Sequence, residues 1–168
     1  MPPSEPVVRA ALLTISTSRA AGEAPDEGGP ALARLTDSLD LAIEIEARET
    51  ISDDRELIAE RLRYLCDELG VSLILTTGGT GFAPSDVTPE ATDDVIKRQA
   101  PGIAEAMRAV SREHTPHWML SRAVAGIRDS TLIINFPGSP RSIAETGEAI
   151  GGALPHALRL LAGGADAH

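Results

Sequence analysis

Two short stretches of this chain set small residues and acids in an order suited to holding phosphate. In Thr76-Thr77-Gly78-Gly79-Thr80-Gly81, three glycines fall within four residues. Glycine frees the backbone for unusual dihedrals and lets a ligand approach closely. Asp86 follows, just ahead of Val87-Thr88-Pro89. An aspartate beside a glycine cradle can hold Mg²⁺ or orient an attacking group. It can equally cap a helix, although Thr88 is the better-placed cap and Pro89 suits a first helical position. The second stretch, Asn135 to Ser142, carries Pro137-Gly138-Ser139-Pro140. It predicts a stiff turn whose N–H groups and Ser139 hydroxyl can receive an anion. Arg141 adds a positive charge at a helix start, where the helix dipole gains nothing from it, as an anionic ligand nearby would explain.

The commonplace phosphate motifs do not apply. No Gly-Lys-Ser/Thr follows Gly78 at the ATPase spacing, and Phe82-Ala83-Pro84 stands where a dinucleotide fingerprint needs its third glycine. Asp53 offers a second acid. With Glu56 three residues on, it resembles a capping box, and Ser52 is also a competent cap. It equally follows the end of an expected strand, where it and Asp86 would share one rim and a divalent ion. His114 and His117 flank Pro116 with no accompanying carboxylate pattern, which argues against a metal site. Cys66 is the only cysteine, so no internal disulfide forms, and its place on an apolar helix face predicts an inert packed thiol. Trp118 and Met119 read as core or subunit contacts.

The elements that must carry these residues alternate. Val7–Ser16, Ser72–Thr77 and Ser130–Phe136 are apolar enough for buried strands, and "LAIEIEARET" alternates as a half-buried strand near an edge. Between them, "TSRAAGEAPDEGG" is a polar loop. Pro30 opens a helix, and residues 54–69 form the clearest one, with Leu57, Ile58, Leu62, Leu65, Cys66 and Leu69 on one face and Gly70 as its stop. Further helices begin at Thr88, after Pro101-Gly102, and across residues 141–161. This alternation predicts an α/β domain with a mostly parallel sheet covered on both faces. Each glycine- or proline-rich turn would then leave the carboxyl end of a strand, where ligands bind.

Composition narrows the partners. With 168 residues, one domain is expected, and its core must come from aliphatic side chains because aromatics make up only 2%. A net charge of -10 and so few aromatics argue against nucleic-acid binding. No apolar run approaches the roughly 20 residues that span a bilayer, and the start lacks a signal-peptide pattern. A soluble, cytoplasmic domain is the expectation, with residues 1–6 and 163–168 flexible.

"LTTGGTGFAPSDVTPEAT", "LSRAVAGIRDSTLIINFPGSPRS" and "GGPALARL" together resemble the Mog/MoaB family of molybdenum-cofactor biosynthesis proteins, from about Val7 to Leu161. The resemblance is closest to molybdopterin adenylyltransferases and gephyrin-type G domains. It implies a single molybdopterin-binding domain over residues 1–168, a three-layer α/β/α fold with a mixed sheet, and a homotrimer. The implied reaction is attack of molybdopterin on the α-phosphorus of Mg-ATP, giving adenylylated molybdopterin and pyrophosphate. A molybdate-inserting partner would take the product.

Carried over by position, the resemblance makes Asp53 and Asp86 the catalytic acids and Mg²⁺ ligands. Ser16, Thr77, Gly78, Gly79, Thr80, Gly81, Ser121, Arg122, Pro137, Gly138, Ser139 and Pro140 become the substrate-binding set. Two positions depart from the family pattern. Thr17 stands where many relatives have an aspartate, and Ser85 where many have an arginine, with Arg19, Arg122 and Arg141 as compensating charges. These departures keep a non-catalytic pterin-binding module open as the alternative, beside a different nucleotide-handling enzyme of the related competence-protein type.

Overall fold

The computed structural model describes residues 6–164. Of the termini expected to be flexible, residues 1–5 and 165–168 lie outside the described residues. Gly163 and Gly164 are held to the preceding helix by N–H donation to the Leu160 and Arg159 carbonyls.

Six strands form one sheet: β1 (Val8–Ile15), β2 (Ile43–Ile51), β3 (Leu73–Thr77), β4 (Arg98–Gln99), β5 (Ala125–Arg128) and β6 (Thr131–Phe136), in the order β2-β1-β3-β6-β5-β4. The first four in that order run parallel, β5 runs antiparallel to β6, and the edge strand β4 pairs antiparallel with β5. The helices are α1 (Thr17–Ala20), α2 (Gly28–Ser38), α3 (Arg55–Asp67), α4 (Thr88–Asp93), α5 (Pro101–Ser111), α6 (Pro140–Gly151) and α7 (Leu154–Leu161), with a 3₁₀ turn at Trp118–Leu120.

Successive strand residues point to opposite faces, so the central strands supply two cores. Leu12, Leu73, Leu75, Ile134 and Phe136 face Leu32 and Leu35 of α2, Met107 of α5, and Ile143 and Leu154 of the last two helices. Leu13, Ile15, Ile74 and Ile133 face Ile58, Leu62 and Leu65 of α3 and Ala91 of α4. This is the expected three-layer α/β/α arrangement with a mostly parallel sheet. As expected, β2 lies at an edge, with Glu44, Glu46 and Arg48 exposed along it.

Inside the second layer, Asn135 is fully buried yet satisfied. Its amide donates to Thr76 Oγ1 at 3.1 Å and Thr92 Oγ1 at 3.0 Å, and its Oδ1 accepts the Val124 N–H at 3.1 Å. One side chain thus ties β6 to β3, α4 and the segment leading into β5. Buried polar groups are tolerated when satisfied in this way.

Several local expectations need correction. The polar loop after β1 contains the short helix α1, and residues 141–161 break into α6 and α7 around Gly152-Ala153. Neither β4 nor β5 was foreseen. Leu57, expected on the apolar face of α3, is 41% exposed, and Met119 is 61% exposed, so it lies outside the core. Cys66 is half-buried as a packed thiol, and burial pushes its pKa up to about 11, which suppresses the thiolate. His114 Nδ1 lies 3.4 Å from Glu145 Oε1.

Candidate active site

Because β1, β3 and β6 are parallel neighbours, their carboxyl ends emerge side by side. The glycine loop leaves β3 and the Pro137 turn leaves β6. The two turns touch: Gly78 N–H donates to the Phe136 carbonyl at 3.3 Å, and Thr77 Oγ1 donates to the Pro137 carbonyl at 2.6 Å. A side chain at Gly138 would come within 3.8 Å of Gly78 Cα. Gly78 and Gly79 adopt φ values of 95° and 68°, which L side chains rarely take.

Thr88 does not cap α4. Val87 occupies the cap position without a side-chain bond, and the Thr88 hydroxyl instead donates to the Gly78 carbonyl at 2.9 Å. Its N–H donates to the Gly79 carbonyl at 3.1 Å. Arg122 takes the next part of the loop. Its N–H donates to the Thr80 carbonyl at 2.8 Å, Nε to the Gly81 carbonyl at 2.8 Å, and Nη2 to the Asp86 carbonyl at 2.7 Å. Its Nη1 pairs with Glu90, and the guanidinium holds the Glu90 carboxyl below the usual carboxylate range despite partial burial. Among the described residues, the N–H groups of Gly79, Thr80, Gly81 and Phe82 find no protein acceptor. Four consecutive N–H donors left without a protein acceptor on a glycine-rich turn are suited to receive an anion.

Asp53 and Asp86 border this loop at different glycines. Neither Asp53 nor Ser52 caps α3; that role belongs to Asp54, whose carboxylate accepts the Leu57 N–H at 2.9 Å. Asp53 is therefore free of the helix. Its Oδ2 accepts the N–H of Thr17 at 2.9 Å and the Thr17 hydroxyl at 3.0 Å. Its Oδ1 would lie 3.2 Å from a methyl group placed on Gly79. Asp86 closes its own turn, with Oδ2 accepting the Ala83 N–H at 3.0 Å and lying 2.9 Å from where a Gly81 methyl would sit.

The other expected residues spread around the same rim. Ser16 caps α1, its Oγ accepting the Arg19 N–H at 3.4 Å. Ser139 caps α6 through the Ser142 N–H at 3.1 Å. Ser121 is half-buried, its Oγ accepting the Ala123 N–H at 3.4 Å. Arg141 pairs with Glu145 on its own helix, and Arg19 Nε donates to the Pro25 carbonyl. A cavity of about 620 Å³ lies between α2 and α6; Pro140 lines it, but none of the glycine-loop residues does.

Two contributors were missed from sequence. Thr88 reads in sequence as a helix cap, whereas its hydroxyl fastens the glycine loop. Asp26 was passed over, yet its Oδ1 accepts the Gly29 N–H at 2.9 Å and the Thr14 hydroxyl at 3.0 Å. This fastens the buried start of α2 beside Thr77, 2.6 Å from whose Cγ2 a methyl on Gly28 would sit. The available signal was an aspartate three residues ahead of a glycine at a helix start, which is capping spacing.

Known proteins resemble this chain in sequence and in fold. Residues 11–156 match the family described as "Probable molybdopterin binding domain". The molybdopterin adenylyltransferase of Helicobacter pylori (strain ATCC 700392 / 26695) is 47% identical over 115 residues, covering 68% of this chain and 65% of that protein. The chain thus spans just under two thirds of that relative's length. The molybdopterin adenylyltransferase of Escherichia coli K12 is 44% identical over 144 residues, covering 85% of this chain and 73% of that protein. The crystal structure of the molybdopterin biosynthesis enzyme MoaB from Thermus thermophilus superposes with a TM-score of 0.86 at 44% identity, covering 93% and 97% of the two chains. With the family match covering most of its length and the fold shared almost throughout, this chain belongs to the Mog/MoaB family of molybdopterin-binding domains.

Proposed function

We propose that this chain is a molybdopterin adenylyltransferase, joining AMP from ATP to the phosphate of molybdopterin and releasing pyrophosphate. The observation that carries the reading is the row of free N–H groups from Gly79 to Phe82, set between Asp53 and Asp86. An acidic protein can bring two polyanions together only where such local donors offset their repulsion. The N–H row receives the pterin phosphate. A phosphate oxygen then attacks the α-phosphorus of ATP and pyrophosphate leaves. Such transfers depend on positioning and charge stabilisation and need no covalent intermediate on the protein. The Pro137–Pro140 turn, fastened to the glycine loop through Thr77, fixes the second side of the pocket.

The residues present fit Mg²⁺. Asp53 Oδ1 is not taken by the bonds that hold Oδ2, and Asp86 is a second carboxylate bordering the glycine loop, at Gly81. Among the described residues no cluster of three or more candidate ligands forms. Mg²⁺ typically takes one or two carboxylates and completes its shell with water and substrate phosphates. Asp53 and Asp86 would hold it, and it would supply neutralisation of the triphosphate charge.

The test is to incubate the pure chain with molybdopterin, ATP and Mg²⁺ and to measure pyrophosphate. Stoichiometric pterin binding without pyrophosphate would replace the enzyme with a non-catalytic binding module. The same reading has the chain working in the cytoplasm as a homotrimer and passing its product to a molybdate-inserting partner. Sedimentation showing a stable monomer would remove the trimer. Among the described residues, no helix is long and apolar enough to cross a membrane.

A further inference from the structure

Peptide direction sorts the loop's polar groups. In a trans peptide the N–H points opposite to the C=O of the same unit. Thr88 takes the carbonyls of Gly78 and Gly79, and Arg122 takes those of Thr80 and Gly81. Holding those four carbonyls on one side turns the N–H groups of Gly79, Thr80, Gly81 and Phe82 to the other. Arg122 also fastens the far end of the loop through the Asp86 carbonyl. Its last guanidinium nitrogen is committed to Glu90, whose Oε2 is buried with no partner of its own among the described residues.

We infer that Arg122 is a positioning residue: it holds the glycine loop in its phosphate-receiving shape from behind, each of its three guanidinium nitrogens engaged by a loop carbonyl or by Glu90. This rests on the adenylyltransferase reading for its substrate, though the loop geometry stands apart from it. A lysine cannot replace it, because one ammonium on a flexible stem lacks the planar fork that reaches two carbonyls and a carboxylate together. The charge contributes little by itself, since it lies on the carbonyl side of the loop and is paired with Glu90.

The experiment is steady-state kinetics of the full-length Arg122→Ala and Arg122→Lys variants. Loss of a device that shapes a ground-state binding loop raises KM for molybdopterin by about tenfold or more while kcat changes much less. Added guanidinium, below denaturing concentration, restores KM of the alanine variant, and methylammonium does not. An unchanged KM in both variants, or equal rescue by both cations, overturns the proposal. If Arg122→Ala fails to fold, the lysine variant decides on the same KM. Wild-type protein that releases no pyrophosphate would remove the enzyme reading only. The loop is then tested with inorganic phosphate by NMR. The amides of Gly79 to Phe82 should titrate about tenfold more weakly in Arg122→Lys than in wild type, on the same ground-state argument, and equal titration overturns the clamp.

Discussion

Thr17 and Asp53 grip each other in both directions: the threonine hydroxyl donates to Asp53 Oδ2 at 3.0 Å and accepts the Asp53 N–H at 3.1 Å. Added to donation from the Thr17 N–H, this fixes the carboxylate with one oxygen turned inward to the chain and the other toward Gly79. Thr17 is thus the residue that orients the Asp53 carboxylate. Thr17→Val keeps the shape and removes both hydroxyl bonds. It should cost about 0.5–1 kcal/mol of stability, the net worth of partly exposed hydrogen bonds, and lower turnover further than Thr17→Ser does. Thermal melts and pyrophosphate release on the two variants check it; equal turnover would separate Thr17 from Asp53's task.

Asp86 combines a structural bond with a charge, and two substitutions separate them. Asp86→Asn keeps a carbonyl oxygen for the Ala83 N–H and loses only the charge. It should retain pterin binding and stability while pyrophosphate release falls by about 100-fold, the lower range for a lost acid–base or charge-organising group. Asp86→Ala also opens the turn and should weaken pterin binding. Unchanged turnover in the asparagine variant would remove Asp86 from the mechanism.

Gly79 tests the loop's shape directly. Alanine there must adopt a positive φ, at roughly 1–2 kcal/mol, and its methyl would press on Thr88 and on Asp53 Oδ1. Gly79→Ala should lower the melting temperature and abolish pterin binding together. Gly102→Ala provides the comparison, because nothing lies within 4 Å of its added methyl and φ there is not positive.

The Glu90–Arg122 pair sets an acid limit. Its carboxyl is held lower in the folded chain than in the unfolded chain, so ionised Glu90 stabilises fully above about pH 4.3, the ordinary glutamate value. That contribution is lost as pH falls through the lower folded value. Urea denaturation of wild type should therefore show a stability drop below about pH 4 that is shallower in Glu90→Gln, whose stability at pH 7 is already reduced. Parallel curves for the two proteins would show that the pair carries no acid sensitivity.

How much of this was legible in sequence follows from physical range. The strands β1, β3 and β6 announce themselves as apolar runs because they are buried on both faces, and the glycine and proline turns follow from their own backbone chemistry. Arg98–Gln99 is two exposed residues and Ala125–Arg128 only four, too short for a period to show. Caps failed for a different reason. Ser52, Asp53 and Asp54 are all competent caps, and the choice fell to Asp54 because Thr17, 36 residues away, holds Asp53. The Thr88 hydroxyl is taken from capping by a carbonyl of the glycine loop, ten residues back. The break before α7 had a visible signal in Pro155, which falls in that helix's first turn.

The lone tryptophan gains a use from its place. Trp118 begins the 3₁₀ turn that runs into Ser121-Arg122, half-buried, with the Arg112 guanidinium 6.0 Å from its ring centre. Indole emission depends on polarity and nearby cations, and no second tryptophan obscures it. The chain therefore carries an intrinsic fluorophore a few residues from the loop's anchor. A shift in its emission when phosphate ligands enter would report on that anchor in the unlabelled, unmutated protein.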